Sequence, residues 1–291
     1  MKLSVIIVNY NTKEFLERNL FAIYSSPPNF DFEVIVVDNA SKDGCRELIR
    51  DKFPKVRFIK NAINVGFARA NNQAAVRAKS EYILFLNPDA IPKPTALDKI
   101  VKFMEENHYA GCIGGKLLYP DGTLQLSCRS FPTYISVFFG RQSLFRKLFP
   151  GNPFSKGFLL TDLDYNCVQK VDWVIGACML TRREILEQFG YFSEKFFLFV
   201  EDLDFCYRLK KMGLDTYFFP EAVFYHYHGV STNKYWLKST IHHNFGMYKF
   251  FKEHYNLGIF LKSIAAVGLL FRIFYIILFQ SFFSRVLRGR E

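Results

Sequence analysis

The stretch Tyr82-Ile83-Leu84-Phe85-Leu86-Asn87-Pro88-Asp89-Ala90 constrains this chain more than any other. Five consecutive apolar residues without alternation predict a strand buried on both faces, the pattern of a central parallel strand in an α/β domain. Pro88 ends the ladder because it has no N–H to donate. Asp89 then falls just past the carboxyl end of that strand, where open α/β sheets bind their ligands. Asn87, Pro88 and Asp89 are all turn formers, so the segment reads either as a plain turn or as a turn that presents a metal-binding carboxylate.

The flanking sequence supplies the frame. Residues 3–8 are a first apolar run, ending on Asn9-Tyr10-Asn11-Thr12 before Phe15, Leu16, Leu20 and Ile23 at helical spacing. Pro27-Pro28 interrupts the chain, and Phe32-Glu33-Val34-Ile35-Val36-Val37 predicts a second strand ending on Asp38. At that tip Asp38 is placed to accept hydrogen bonds from a nucleoside, or to cap the next helix. Residues 56–59 predict a third strand, and Asn64-Val65-Gly66-Phe67 opens an Ala-rich helix. Gly66 permits positive φ or a close approach of the backbone to a ligand, and asparagine side chains offer both donors and acceptors. The repeated alternation of strand and helix predicts an α/β fold with a mostly parallel, helix-covered sheet.

Beyond residue 90 a helix is expected over 95–106, a strand over 110–117 and a tight turn at Tyr119-Pro120-Asp121-Gly122-Thr123. Residues 131–170 have no clear period and are predicted to form acceptor-binding loops. Residues 171–180 read as one buried strand. After the aromatic run 196–199 come Glu201, Asp202 and Asp204, which either complement a helix N-terminus or hold a general base beside an orienting partner. Residues 214–219 predict a strand. His226 and His228 follow on an extended segment, and at most one of them is expected to face a site.

Several classes lose support. No Gly-x-Gly-x-x-Gly follows the first strand and no P-loop occurs. The six cysteines have neither zinc-ligand nor disulfide-framework spacing, and several, lying in apolar runs, read as reduced core residues. A net charge of +11 calls for a polyanionic partner. The basic residues form no stripe within 1–230 and no nucleic-acid motif appears, so no nucleic acid is expected. A phosphorylated substrate or an anionic membrane surface remains.

Taken together, Val5-Ile6-Ile7-Val8-Asn9-Tyr10-Asn11, Val37-Asp38-Asn39-Ala40-Ser41, Asn64-Val65-Gly66-Phe67, Leu86-Asn87-Pro88-Asp89, Gly176-Ala177-Cys178-Met179-Leu180 and Glu201-Asp202-Leu203-Asp204 carry a resemblance. Residues 3–231 resemble the family-2 inverting glycosyltransferases of the GT-A fold, especially the bacterial rhamnosyltransferase-like branch. The resemblance implies a nucleotide-sugar donor, a divalent metal (Mg²⁺ or Mn²⁺) on its diphosphate, and single-displacement transfer with inversion. It assigns Asn9, Tyr10, Asn11, Asp38, Asn64, Gly66 and Asn87 to the donor, with Asp38 on the base. Trp173, Gly176 and Ala177 are assigned to the acceptor. Asp202 corresponds to the general base, with Glu201 and Asp204 beside it. Asp89 corresponds to the last carboxylate of the family's DxD motif and His226 to a position that completes the metal site in some members. Asn87 stands where the first carboxylate of that motif is expected, leaving one fewer for the metal. Mg²⁺ takes few protein ligands when substrate phosphates supply the rest, so Asp89 and His226 suffice in principle. The implied function is transfer of a sugar, rhamnose or another hexose, to a glycan or lipid-linked acceptor in cell-surface polysaccharide biosynthesis. The rivals are a metal-dependent nucleotidyltransferase and a non-catalytic sugar-nucleotide-binding domain.

The tail is of another kind. Residues 257–283 are rich in apolar and aromatic side chains and are followed by Arg285, Arg288 and Arg290. About 20 apolar residues span a bilayer, but Lys262 and Arg272 interrupt the run, each costing roughly 2.5 to 3.5 kcal/mol at a membrane centre. On a helix these two charges lie about 80° apart, so both can face headgroups. The expected division is a catalytic domain over 1–231 and a helical membrane-associating segment over 232–291. That segment would lie peripherally on anionic lipid at the cytoplasmic face, with a single span or a helix packed on the domain as alternatives. Met1-Lys2 runs directly into the first strand without an apolar leader, which fits a cytoplasmic domain.

Overall fold

Strand β4 (Tyr82–Leu86) is buried at every residue and lies between β1 (Leu3–Asn9) and β11 (Cys178–Arg182). The computed structural model describes residues 1–133, 152–227 and 236–255. On one side of β4 the order continues through β1 to β2 (Phe32–Asp38) and β3 (Arg57–Lys60), all parallel. On the other, β11 runs antiparallel to both β4 and β6 (Ala110–Leu118). β6 then pairs in parallel with β12 (Asp215–His226), which takes the short strand β5 (Ala90–Pro92) along its outer edge in antiparallel register.

Alternate residues of β1 feed two cores, because successive side chains of a strand point to opposite faces. Leu3, Val5 and Ile7 pack with Leu16, Leu20 and Ile23 of α1 (Lys13–Ser25) and with Ile100, Val101 and Met104 of α4 (Ala96–Glu106). Ile6 and Val8 pack with Ala68, Ala70 and Ala74 of α3 (Phe67–Ala75). The same second core holds Ile185 and Leu186 of α6 (Arg183–Phe189) and Phe205, Cys206 and Leu209 of α7 (Glu201–Lys211). Helix α2 (Cys45–Lys52) follows β2 and contributes Cys45 and Ile49 to the first core. All six cysteines are free and all but Cys167 are buried.

Three elements differ from the expectation. The apolar run over 171–180 is broken into β9 (Gln169–Val171), β10 (Trp173–Val174) and β11, which join three different partners. The break follows Asp172, whose carboxylate accepts from the Phe131 N–H at 2.7 Å; an apolar run alone cannot reveal where a chain changes partner. The segments at 214–219 and 224–226 are one strand, β12, with a register shift between Phe219 and Val223 where Pro220 cannot donate. Strand β5 was not expected, since three residues containing Pro92 carry no strand signal.

Within the aperiodic region, β8 (Cys128–Arg129) pairs with β10, and α5 (Pro153–Leu159) is capped by Asn152, which accepts from Ser155 N at 2.8 Å. The other residues predicted for acceptor loops, 134–151, lie outside the described residues, as do His228 and the apolar tail 257–283. Helix α8 (Trp236–His254) is described, and it packs on the domain: Met247, Phe250 and Phe251 meet Phe196, Val200 and Leu203. Among the described residues no helix is long and apolar enough to cross a membrane.

Candidate active site at the carboxyl edge of the sheet

The ends of β1 and β2 are aligned, with Asn9 paired to Asp38. Asn9 Nδ2 donates to Ser41 Oγ at 3.0 Å and lies 3.4 Å from Asp43 Oδ2, while its Oδ1 accepts from Thr12 Oγ1 at 2.7 Å. Asn11, at φ 55°, donates its N–H to Ser41 Oγ and accepts from Lys42 N. Half-buried Tyr10 lies between them. Asp38 is buried and accepts from Ser41 N at 3.2 Å.

Asn39, which the sequence did not single out, organises the neighbouring loop. Its Nδ2 donates to Asn64 Oδ1 at 2.8 Å and to the Gly66 carbonyl at 3.2 Å, and its Oδ1 accepts from Val65 N and Asn61 Nδ2. Asn64 Oδ1 also accepts from Gly66 N. Gly66 has φ +90°, and a Cβ there would stand 2.6 Å from the Phe197 carbonyl oxygen. The close approach that demands glycine is therefore to Phe197, whose carbonyl accepts from Phe67 N at 2.7 Å.

The turn after β4 is clamped from α1. Asn19 is fully buried, and its Nδ2 donates to the carbonyls of Asn87 and Ala90 at 3.0 and 2.8 Å, spanning Pro88 and Asp89. The β5–β12 register then sets His226 opposite Ala90, next to Asp89. His226 Nε2 lies 3.4 Å from Asp89 Oδ1, and Asp89 accepts from Tyr227 N through its backbone carbonyl. The other ring nitrogen, Nδ1, is 2.6 Å from Gln125 Oε1. Among the described residues no cluster of three or more His, Cys, Asp or Glu side chains is disposed to hold a metal, and Asp89 and His226 form a pair.

The acidic cluster lies at the start of α7, after Phe199 (φ 66°) and Val200 (φ 72°). Consecutive left-handed residues, one of them β-branched, are strained and persist only where packing holds them. Asp202 Oδ2 accepts from Gly176 N at 2.8 Å and Oδ1 from Leu203 N at 2.8 Å. Burial raises its pKa, against the opposing pull of these N–H groups and of the Arg129 charge. Burial and the charge of Asp202 push Glu201 well above the usual carboxylate range. Its Oε2 has no hydrogen-bond partner among the described residues.

Asp204 does not join this pair. Residues two apart on a helix point about 200° away from one another, and Asp204 faces Arg208 Nε at 2.9 Å and His254 Nε2 at 2.7 Å. Both of its oxygens thus tie α7 to its own next turn and to α8. The residues assigned to the acceptor converge more closely. Gly176 bonds Asp202, the adjacent Ala177 carbonyl accepts from Asn87 N at 2.9 Å, and Trp173 Nε1 donates to the Ser130 carbonyl at 3.0 Å. Arg129, paired with Trp173 across β8 and β10, is the buried cation acting on Asp202. A lone arginine in an aperiodic stretch has no signal that would have found it.

Comparison with known proteins bears on the family and the fold. Residues 4–190 match the family described as Glycosyl transferase family 2. The N-acetylglucosaminyl-diphospho-decaprenol L-rhamnosyltransferase of Mycobacterium tuberculosis is 27% identical over 243 residues, 80% of this chain and 78% of that protein. Rhamnosyltransferase WbbL of Escherichia coli K12 is 25% identical over 239 residues, 77% of this chain and 83% of WbbL. Among solved structures, the mannosyltransferase PcManGT from Pyrobaculum calidifontis, in complex with GDP-Man and Mn²⁺, shares the fold at a TM-score of 0.59 and 20% identity. That match covers 92% of this chain and 69% of PcManGT.

Proposed function

The chain belongs to glycosyl transferase family 2, and we propose that it moves a sugar, rhamnose or another hexose, from a nucleoside-diphosphate donor to a hydroxyl of a glycan or lipid-linked acceptor, with inversion. The observation that carries this reading is the continuity of the site. Gly176 holds Asp202, and the next residue, Ala177, holds Asn87 two residues from Asp89. A candidate base and a candidate metal carboxylate are thereby fixed to one dipeptide.

Asp202 is the proposed base. Of the two adjacent carboxylates it has the two N–H donors and the Arg129 charge, so it ionises before Glu201. It would take the proton of the acceptor hydroxyl as that oxygen attacks the anomeric carbon, and inversion requires no protein nucleophile. Asp38 would receive the nucleobase, on loops held by Asn9 and Asn39. Asp89 and His226 fit a divalent cation: a carboxylate oxygen and an imidazole nitrogen lie 3.4 Å apart, and diphosphate oxygens and water would complete the set. Bound there, Mg²⁺ or Mn²⁺ would stabilise charge on the departing diphosphate. Asp204 would act by anchoring α8, not at the reacting atoms.

The work would be done in cell-surface polysaccharide biosynthesis at the cytoplasmic face of the membrane. Support comes from the decaprenol-linked acceptor in the name of the mycobacterial relative, the net charge of +11 and the apolar and basic composition of residues 256–291. Incubation with nucleotide sugars, acceptor and Mn²⁺ tests the reaction. Release of nucleoside diphosphate is expected; release of pyrophosphate would favour a nucleotidyltransferase, and binding without turnover a non-catalytic domain.

A further inference from the structure

The antiparallel hairpin after β6 places one buried amide behind the candidate metal pair. Tyr119 N donates to the Thr123 carbonyl and Gly122, at φ +85°, closes the turn, so that β7 (Leu124–Gln125) returns along β6 with Leu117 opposite Gln125. Strand alternation turns Leu124 out and Gln125 in. On its other edge β6 pairs with β12, Phe224 opposite Leu117, which brings the end of β12 within reach of Gln125. Gln125 is 1% exposed and His226 3%, so neither side chain has bulk water to satisfy it.

We propose that Gln125 is the positioning residue that fixes the tautomer of His226, and thereby whether that ring can serve a divalent cation beside Asp89. The inference rests on the metal reading of Asp89 and His226. A glutamine carbonyl only accepts, so the 2.6 Å contact from Gln125 Oε1 requires the proton of the neutral ring to sit on Nδ1. Nε2 then presents its lone pair 3.4 Å from the carboxylate oxygen of Asp89. Two electron-rich atoms in that relation repel each other, and a cation between them removes the repulsion. The opposite tautomer would put a proton on Nε2, bond it to Asp89 and close the site. The arrangement costs Gln125 something: its Nε2 has no hydrogen-bond partner among the described residues, so the buried amide is oriented toward the ring at the expense of its own donor. Outer partners of this kind orient imidazole ligands and raise their basicity.

The test compares Gln125→Met, which keeps the length and loses the strong acceptor, with Gln125→Glu, which is an acceptor in either orientation. Mn²⁺ affinity is read by electron paramagnetic resonance titration with GDP or UDP present and no acceptor, and the His226 tautomer by NMR of ring-labelled histidine in the metal-free protein. Gln125→Met should weaken Mn²⁺ binding by roughly 10- to 100-fold and move the ring proton toward Nε2. Gln125→Glu should hold both at or above wild-type values. If wild-type protein binds Mn²⁺ and Gln125→Met binds it equally, or if wild-type His226 carries its proton on Nε2, the inference fails. If wild-type protein binds no Mn²⁺ while nucleotide still binds, the metal reading of Asp89 and His226 fails first and takes the inference with it.

Discussion

The half of the site proposed to bind the donor and the half proposed to hold the base are held by different forces. Around β1, β2 and β4, amide side chains do the holding: Asn9 binds Ser41 and Thr12, Asn19 binds the Asn87 and Ala90 carbonyls through its amide nitrogen, and Asn39 binds Asn61, Asn64, Val65 and Gly66. Around α7 the backbone is strained at Phe199 and Val200, two carboxylates are buried side by side, and packing from α8 holds them. Both halves contain left-handed residues, but Asn11 and Ala40 are isolated, small or polar, and sit in hydrogen-bonded loops, whereas Phe199 and Val200 are consecutive and bulky and persist only while their neighbours press on them. Changes in the first half should therefore act on donor affinity, and changes in the second on turnover.

The largest effect is expected at Asp202. Asp202→Asn should lower kcat by about 10²- to 10⁴-fold while calorimetry shows donor binding unchanged. In the wild-type enzyme the acidic limb of the pH–rate profile should lie above the ordinary carboxylate range, because burial raises this group's pKa and the base works only when ionised. Near-normal turnover in the variant would remove Asp202 from the mechanism. Asp89→Ala is the counterpart in the donor half. It should weaken Mn²⁺-dependent binding of nucleoside diphosphate, with thermal stability close to that of the parent; unchanged binding with metal present would reduce Asp89 to a turn residue.

How far the sequence could be read follows the same division. The candidates proposed for the donor half could be picked out because they sit at the ends of apolar runs, and the end of a buried strand is where such sheets bind ligands. The residues that hold those candidates were not. Asn19 and Asn87 are 68 positions apart, Gln125 and His226 are 101 apart, and a single buried amide has no period to betray it. In the base half the acidic cluster stood out, but a count of carboxylates carries no direction: helical rotation turns Asp204 to His254, 50 residues on, and away from Asp202. The strained pair before it was invisible, since Phe and Val favour extended backbone and give no hint of positive φ.

A paired substitution sharpens the contrast at smaller magnitude. Asn39→Ala removes hydrogen bonds to Asn64, Gly66, Val65 and Asn61, leaving buried groups unpaired at about 1–3 kcal/mol each where water cannot replace them. It should raise KM for the donor more than it lowers kcat. Gly246→Val works on the other half. A Cβ at Gly246 already stands 3.0 Å from Val200 Cγ2, so a branched side chain presses α8 away from the strained residue at about 1–3 kcal/mol. It should lower kcat with donor affinity kept. Equal effects of both variants on kcat and KM would erase the distinction between the halves.

The smallest effect is expected at Glu201, and it lies in a slope instead of a level. Burial and the Asp202 charge raise its pKa in the folded protein above the value of 4.5 usual for a glutamate. Between those two values the folded state binds more protons than the unfolded one, so stability falls as pH rises through that window and is fully retained below it. Each tenfold weakening of acidity corresponds to about 1.4 kcal/mol. Glu201→Gln removes this term, but it also buries an amide where Oε2 finds no partner, a penalty of about 1–3 kcal/mol that does not vary with pH. The two act in opposite directions, so an absolute change in Tm would not separate them. The difference in Tm between variant and parent should instead move in the variant's favour as pH is raised from 4 to 8. A difference independent of pH would mean that Glu201 ionises in the folded protein as readily as in the unfolded chain, and the base half would then carry no buried like-charge strain.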